Sequence, residues 1–282
     1  MVKPWIAFYE SVRGASHVRS GAPNQDAVLV DVPRDEQMAA LLAVSDGHGS
    51  PRCFRSDQGS RLAVEVAVRT TRLFLDDLIG MPSSGQKGLI EHRLPSLLVR
   101  EWRKQVACHC RQTPLTQRER LALGLKCDDP SPVDPPYIAY GATLLVAAVS
   151  DTFVFFLQLG DGEMLVVNGE PLQASAPLPP DPSLIANETT SLCQPNASQL
   201  FRLRYSPVQD DAPVLILACT DGYSNAFASR NGFLQVGTDL LRLSQEMNTK
   251  ALARSLQGWL SEASVCGSGD DVSLAMLLRR NH

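Results

Sequence analysis

Met38-Ala-Ala-Leu-Leu-Ala-Val44, followed at once by Ser45-Asp46-Gly47-His48-Gly49, is the stretch on which the fold turns. Seven apolar residues without polar alternation read as a strand covered on both faces, and the Asp-Gly that follows reads as a tight turn displaying Asp46. The same design recurs downstream: Val214-Leu-Ile-Leu-Ala-Cys219 stops at Thr220-Asp221-Gly222. Two strands that each deliver an aspartate at their end call for a layered domain with a buried sheet.

Working outward, Asp57 to Leu78 carries Ala63, Val66, Ala67, Thr70, Phe74 and Leu78 at three-to-four spacing, which predicts an amphipathic helix. A second helix follows, with Pro95 expected in its first turn and Leu98, Trp102 and Val106 as its buried stripe. Residues 124 to 140, crowded with prolines and aspartates, read as an irregular loop. Ala142 to Val149 and Thr152 to Leu159, separated by Ser150-Asp151, predict a hairpin that Met164 to Val167 extends into a meander. Residues 171 to 198 read as a long loop, and Leu200 to Tyr205 as a half-buried strand. Gly237 to Ser244 and Thr249 to Ser261 have helical spacing, and Val272 to Leu278 is a closing strand. Strands and helices are segregated rather than alternating. That order predicts an α+β fold of two mainly antiparallel sheets with helices outside, in a single domain over residues 1–282.

Composition narrows the function. Over 282 residues, 44% are hydrophobic and 20% charged, as in an ordinary folded globule. A net charge of −4 and a pI near 5.7 give no general attraction to nucleic acid or anionic lipid. No apolar run approaches the ~20 residues of a membrane-spanning helix. The N-terminus, in which Glu10 interrupts a short apolar run, is unlike a signal peptide, so a cytoplasmic protein is expected. Seven cysteines, an odd number, predict reduced thiols without catalytic context. Cys108-His109-Cys110, with Cys127 beyond, contains zinc-binding residue types, but its spacing fits no finger and reads as free thiols.

Four places share one pattern: Asp46-Gly47, Gly160-Asp161-Gly162 and Asp221-Gly222 after apolar strands, and Asp270 just before another. Any one Asp-Gly reads as a turn, and His48 as a turn histidine. Four together, brought to one sheet edge, form a set of hard oxygen donors whose mutual repulsion a divalent cation relieves. Asp31, Asp57 and Asp151 lack this context and read as turn or capping residues.

These residues resemble the metal-dependent protein phosphatases of the type 2C class, particularly compact bacterial members, over nearly the whole chain. The landmarks run in order: Gly14-Ala-Ser-His-Val-Arg-Ser-Gly-Ala-Pro-Asn-Gln-Asp26, Val44-Ser-Asp-Gly-His-Gly49, Gly141-Ala-Thr143, Gly160-Asp-Gly162, Thr220-Asp-Gly222 and Gly269-Asp-Asp-Val-Ser273. The resemblance implies an α-β-β-α sandwich and a phosphoserine/phosphothreonine phosphatase that uses Mn²⁺ or Mg²⁺. It implies Asp46 bridging two ions, the Gly47 carbonyl on one, Asp221 and Asp270 on the other, and Asp161 on a third, weaker ion. It also implies that Asp26 orients metal-bound water, that His48 protonates the departing oxygen, and that Arg19 binds phosphate. Two positions depart from the family: Gln25 stands where many relatives carry Glu, and Arg19 lies further than usual from Asp26.

Rival chemistries lack their residues. No cysteine is followed six residues later by arginine, as a cysteine-dependent phosphatase needs, and no Asp-x-Asp nucleophile motif occurs. The alternative from another class is a phosphatase-like regulatory or binding module of weak activity. The expected partner is a phosphoprotein that a partner kinase also acts on. Arg100, Arg103, Lys104, Arg111, Arg118 and Arg120 read as a solvated helix face.

Overall fold

The computed structural model describes residues 5–35, 38–125, 135–169, 172–181, 189–208 and 213–279. In chain order, its first part comprises β1 (Trp5–Val12), α1 (Ala15–Ser20), β2 (Ala27–Asp31), β3 (Ala40–Ser45), α2 (Ser56–Asp76), α3 (Ser83–Gln112) and α4 (Gln117–Ala122). There follow β4 (Leu144–Val149), β5 (Phe153–Leu159), β6 (Glu163–Asn168), β7 (Ala174–Ser175), α5 (Ala197–Leu200), β8 (Arg202–Pro207) and β9 (Pro213–Cys219). The chain closes with α6 (Asp221–Ser224), α7 (Arg230–Glu246), α8 (Thr249–Ala263) and β10 (Val272–Arg279).

The strands form two five-stranded sheets, β1-β10-β9-β6-β7 and β2-β3-β4-β5-β8. Every strand pair is antiparallel. The period of two in a strand sorts β3 cleanly. Ala40, Leu42 and Val44 face the second sheet and pack with Ile216, Ala218, Ala275 and Leu277. Leu41 and Ala43 face outward, onto Ala63, Val66 and Ala67 of α2 and Leu94, Leu98 and Trp102 of α3. On the other side Leu217 and Met276 meet Phe233 and Leu240 of α7 and Leu256 and Leu260 of α8. Helices therefore cover both outer faces, which is the α-β-β-α sandwich that the resemblance implies.

Two local expectations are corrected. Pro95 lies inside α3, which begins twelve residues earlier at Ser83, and not in a first turn. The helix continues through it because Ile90 and Leu94 before the proline and Leu98, Trp102 and Val106 after it share one buried stripe. That packing outweighs one missing backbone hydrogen bond. Met164 to Val167 does not extend the hairpin in its own sheet; as part of β6 it pairs with β9 and β7 in the opposite sheet. Gly160, at φ +105, makes the break, in a conformation that residues with a Cβ rarely adopt. The crossing from sheet to sheet thus occurs at the Gly160-Asp161-Gly162 turn.

Other features went unread or fall partly outside the described residues. β1 pairs with β10 along its whole length, yet only Phe8 and Val12 of its eight residues are buried, so its pattern is faint. Residues 126–134 of the 124–140 loop and 171 and 182–188 of the 171–198 loop lie outside the described residues, as does Cys127. His109 Nδ1 lies 2.7 Å from the Tyr140 hydroxyl, and Cys110 Sγ donates to that hydroxyl at 3.3 Å. Asp31 is no bare turn residue: it accepts from Arg72 Nε at 2.8 Å. No described helix is long and apolar enough to cross a membrane.

Candidate metal centre

Antiparallel registration brings the aspartate-bearing ends together. Leu144 at the start of β4 faces Leu159 at the end of β5, and Cys219 at the end of β9 faces both Glu163 and Leu274. The turns after β3, β5 and β9 and the turn before β10 therefore open at one end of the sandwich. There Asp46, Asp161 and Asp221 each present a carboxylate oxygen, and the three oxygens lie within 4.8 Å of one another.

Each carboxylate is held from behind. Asp46 N donates to Thr143 Oγ1 at 2.9 Å, Thr143 N donates to the Asp46 carbonyl at 2.8 Å, and Ser45 Oγ donates to the Thr143 carbonyl at 2.6 Å. Gly47, buried beside it, bridges in strand fashion to Ala142. Asp221 opens the short helix α6 and accepts from Asn225 Nδ2 at 3.0 Å. The Gly160-Asp161-Gly162 turn is fixed by Gly160 N donating to Thr190 Oγ1 at 2.7 Å.

Asp26 is 9% exposed and half satisfied. Its Oδ2 accepts from Thr220 Oγ1 at 2.8 Å, whereas Oδ1 is buried with no hydrogen-bonding partner among the described residues. An orphaned buried carboxylate oxygen costs its full desolvation unless a positive group meets it.

The electrostatics point the same way. Burial, and then the charges of Asp26, Asp221 and Asp161, push the Asp46 carboxyl well above the usual carboxylate range. Burial also raises Asp26 well above it; the hydrogen bonds from Thr220 and Ser273 oppose this, while the charges of Asp271 and Asp270 add to it. Asp221 is raised by burial and by Asp161 and Asp270, against hydrogen bonds from Asp46 and the Gly222 backbone. Without a cation, Asp46 and Asp221 can hydrogen-bond only by sharing a proton. An all-oxygen donor set with this repulsion fits Mg²⁺ or Mn²⁺.

The remaining candidates sit around the cluster. Asp270 is exposed, accepts from Asp271 N at 2.8 Å, and groups with His17 and Asp271 rather than with the three clustered aspartates. Its charge is still felt by Asp26 and Asp221. His48 is anchored by its N–H donating to the Gly141 carbonyl at 3.0 Å; burial pushes its imidazole down, partly opposed by Asp161. Arg19 stands on the exposed last turn of α1, and among the described residues no hydrogen bond or ion pair ties it to the cluster.

Sequence reading missed the residues that position these groups. Asp271, 3% exposed, accepts from Gly14 N at 2.6 Å and Gln25 N at 2.6 Å, and lies 2.8 Å from His17 Nδ1. It staples both ends of the loop that carries Asp26. A carboxylate set against the first residue of the buried strand β10 has to find such donors, and that was the available signal. Thr143 and Thr220 appeared only as landmark letters.

The sequence model of the Protein phosphatase 2C family matches residues 13–261. No curated protein matches the chain in a sequence comparison. Among solved structures, the chain is similar to the Mycobacterium tuberculosis serine/threonine phosphatase PstP/Ppp. Identity is 14% at a TM-score of 0.57, covering 99% of this chain and 100% of that one. It is also similar to the PstP catalytic domain in complex with two manganese ions, at 17% identity and TM-score 0.57, covering 99% of each chain. Serine/threonine phosphatase Stp1 from Staphylococcus aureus is similar at 12% identity and TM-score 0.59, covering 100% of this chain and 96% of that one.

Proposed function

Since the chain belongs to the protein phosphatase 2C family, we propose that Asp46, the Gly47 carbonyl, Asp221 and Asp270 hold its two divalent cations and that Asp161 holds a weaker third. The protein is a metal-dependent serine/threonine protein phosphatase acting on phosphoproteins, with Mn²⁺ or Mg²⁺ as cofactor. The observation that carries the assignment is the cluster of Asp46, Asp161 and Asp221 oxygens within 4.8 Å, beside the partnerless Oδ1 of Asp26. PstP, crystallised with two manganese ions, supports the cation count by likeness.

Bound there, divalent cations acidify water and neutralise charge on the transferring phosphoryl group. The protein's own residues do the rest. Asp26, fixed by Thr220, offers Oδ1 as an acceptor that orients the attacking water. His48, fixed through Gly141, is the proton donor to the departing serine or threonine oxygen, with the charge of Asp161 opposing the burial that favours its neutral form. Arg19 is the candidate phosphate-binding cation, on the exposed last turn of α1.

We read residues 1–282 as one phosphatase domain, since β1 near one end pairs throughout with β10 near the other. A cytoplasmic location and a partner kinase that installs the phosphate complete the reading; the odd count of seven cysteines supports the first. Mn²⁺ titration calorimetry on wild type, Asp46→Asn and Asp270→Asn tests the ligand assignment. Two tight sites in wild type and loss of tight binding in both variants are expected; two unaltered sites in Asp270→Asn would remove that residue from the set.

A further inference from the structure

Two thiols meet beside the His48 loop. Around the point where a Cβ on Gly141 would sit, the three nearest heavy atoms are His48 Cδ2 at 2.7 Å, Cys53 Sγ at 3.2 Å and Cys193 Sγ at 3.4 Å. Only glycine leaves this space open, and both sulfurs border it. They belong to segments far apart in sequence. Cys53 lies in the turn after His48, where its N–H donates to the Ser50 carbonyl at 2.8 Å. Cys193 lies in the loop after β7, pinned by Leu192 N donating to the Ala142 carbonyl at 2.9 Å and by Ser191 Oγ, which accepts from Ala142 N at 3.1 Å.

We propose that Cys53 and Cys193 form a reversible disulfide under peroxide, and that this bond switches the phosphatase off by tying the Cys193 loop across Gly141 against His48. The proposal rests on the catalytic reading of His48 given above. Cys53 is buried at 5% exposure, whereas Cys193 is half-buried and reachable. Burial also raises the Cys53 thiol, with the nearby Cys193 adding to it and with Ser50, the Gly141 backbone and Arg52 opposing, so Cys53 is a poor first nucleophile.

The Cys193 thiolate attacks one peroxide oxygen and the O–O bond breaks. That oxygen stays on sulfur as the sulfenic acid, and the other leaves as hydroxide, which is protonated to water. Cys53 then gives up its proton, its sulfur attacks the sulfenic sulfur, and the S–O bond breaks to release a second water. Two thiols lose two electrons in all, and one peroxide gains them. A thiol reductant reverses the change by exchange.

The test oxidises metal-free protein with hydrogen peroxide, removes the oxidant with catalase, and only then adds Mn²⁺. Non-reducing peptide mapping should find a Cys53–Cys193 linked peptide, two hydrogens lighter than the separate pair. Phosphopeptide turnover should fall at least ~100-fold, the low side of what displacing a general acid removes, and return with reductant. Cys193→Ser and, independently, Cys53→Ala should keep the basal rate and resist peroxide. Absence of the linked peptide from oxidised wild type would overturn the proposal, as would equal inactivation of both variants. A linked peptide with unchanged turnover would leave the bond real but refute the switch. Because the peptide is read without catalysis, failure of the disulfide and failure of the His48 assignment are told apart.

Discussion

Thr220 Oγ1 donates to Asp26 Oδ2 at 2.8 Å, which leaves Asp26 Oδ1 buried and alone at the cluster. The same hydroxyl accepts from Ser273 N at 3.0 Å, so one threonine links the end of β9, the start of β10 and the loop before β2. Thr220→Val keeps the volume and deletes both bonds. It should slow phosphopeptide turnover about tenfold, or ~1.4 kcal/mol, while Thr220→Ser stays near wild type. Equal rates for the two variants, measured at saturating Mn²⁺, would deny Thr220 a positioning role.

Asp46→Asn should nearly abolish turnover yet raise the melting temperature of metal-free protein. It removes one of several mutually repelling charges with little change of volume. Thermal melts in chelator check this. A lower melting temperature than wild type would show that the carboxylate is stabilised by something other than a cation.

The same repulsion gives a pH dependence with a definite sign. Asp26, Asp46 and Asp221 have folded pKa values raised above the unfolded value of about 3.9. In that window the folded chain holds more protons than the unfolded one, so the stability of metal-free protein falls as pH rises through the raised values. The penalty is complete above them. Urea melts of chelated protein should therefore show lower stability at pH 8 than at pH 5, and saturating Mn²⁺ should remove most of the difference. A metal-free stability that climbs from pH 5 to pH 8 would contradict this.

Much of this was legible in the sequence because it rests on short-range signals. The runs ending at Asp46 and Asp221 are apolar throughout, and such runs become central strands that carry their last residue to the sheet end. What stayed hidden depends on contacts remote in sequence. Asp271 finds Gly14 across 257 residues, and β6 changes sheets at a turn whose letters do not say which sheet comes next. Local propensity marks Pro95 as a helix start, while the stripe either side of it is a tertiary fact. The grouping of Asp161 with Asp46 and Asp221, and of Asp270 with His17, likewise exists only in three dimensions.

Away from the centre, Arg55 donates from Nε to Glu119 Oε1 at 2.7 Å, from one terminal nitrogen to Glu119 Oε2 at 2.9 Å, and from the other to the Tyr140 hydroxyl at 2.8 Å. Burial alone would raise the Glu119 carboxyl, but hydrogen bonds from Arg55 and Thr116 hold it down to about 2. A depressed acid stabilises above its unfolded pKa of about 4.3 and loses that contribution as pH falls towards its folded value. Glu119→Gln should cost about 2 kcal/mol at neutral pH, less near pH 3, and leave turnover intact. Urea melts of both proteins at the two pH values decide it; equal stability at neutral pH would mark the pair as solvent-screened.

Asp161→Ala should fold normally and still bind two Mn²⁺ ions, yet dephosphorylate phosphopeptides at least ~10-fold more slowly. Calorimetry and kinetics on one preparation separate the outcomes. Unchanged turnover would make Asp161 a turn residue, and loss of both tight ions would place it in the coordination of the pair itself.

Phosphate release from a phosphothreonine peptide, using metal-stripped protein across a Mn²⁺ titration, tests most directly whether the carboxylates at the sandwich end work only through divalent cations. The expected result is no release above background without metal, a saturable rise with Mn²⁺, and no rise for Asp46→Asn. Turnover that persists in chelator, or a Mn²⁺-driven rise in Asp46→Asn equal to that of wild type, would contradict it.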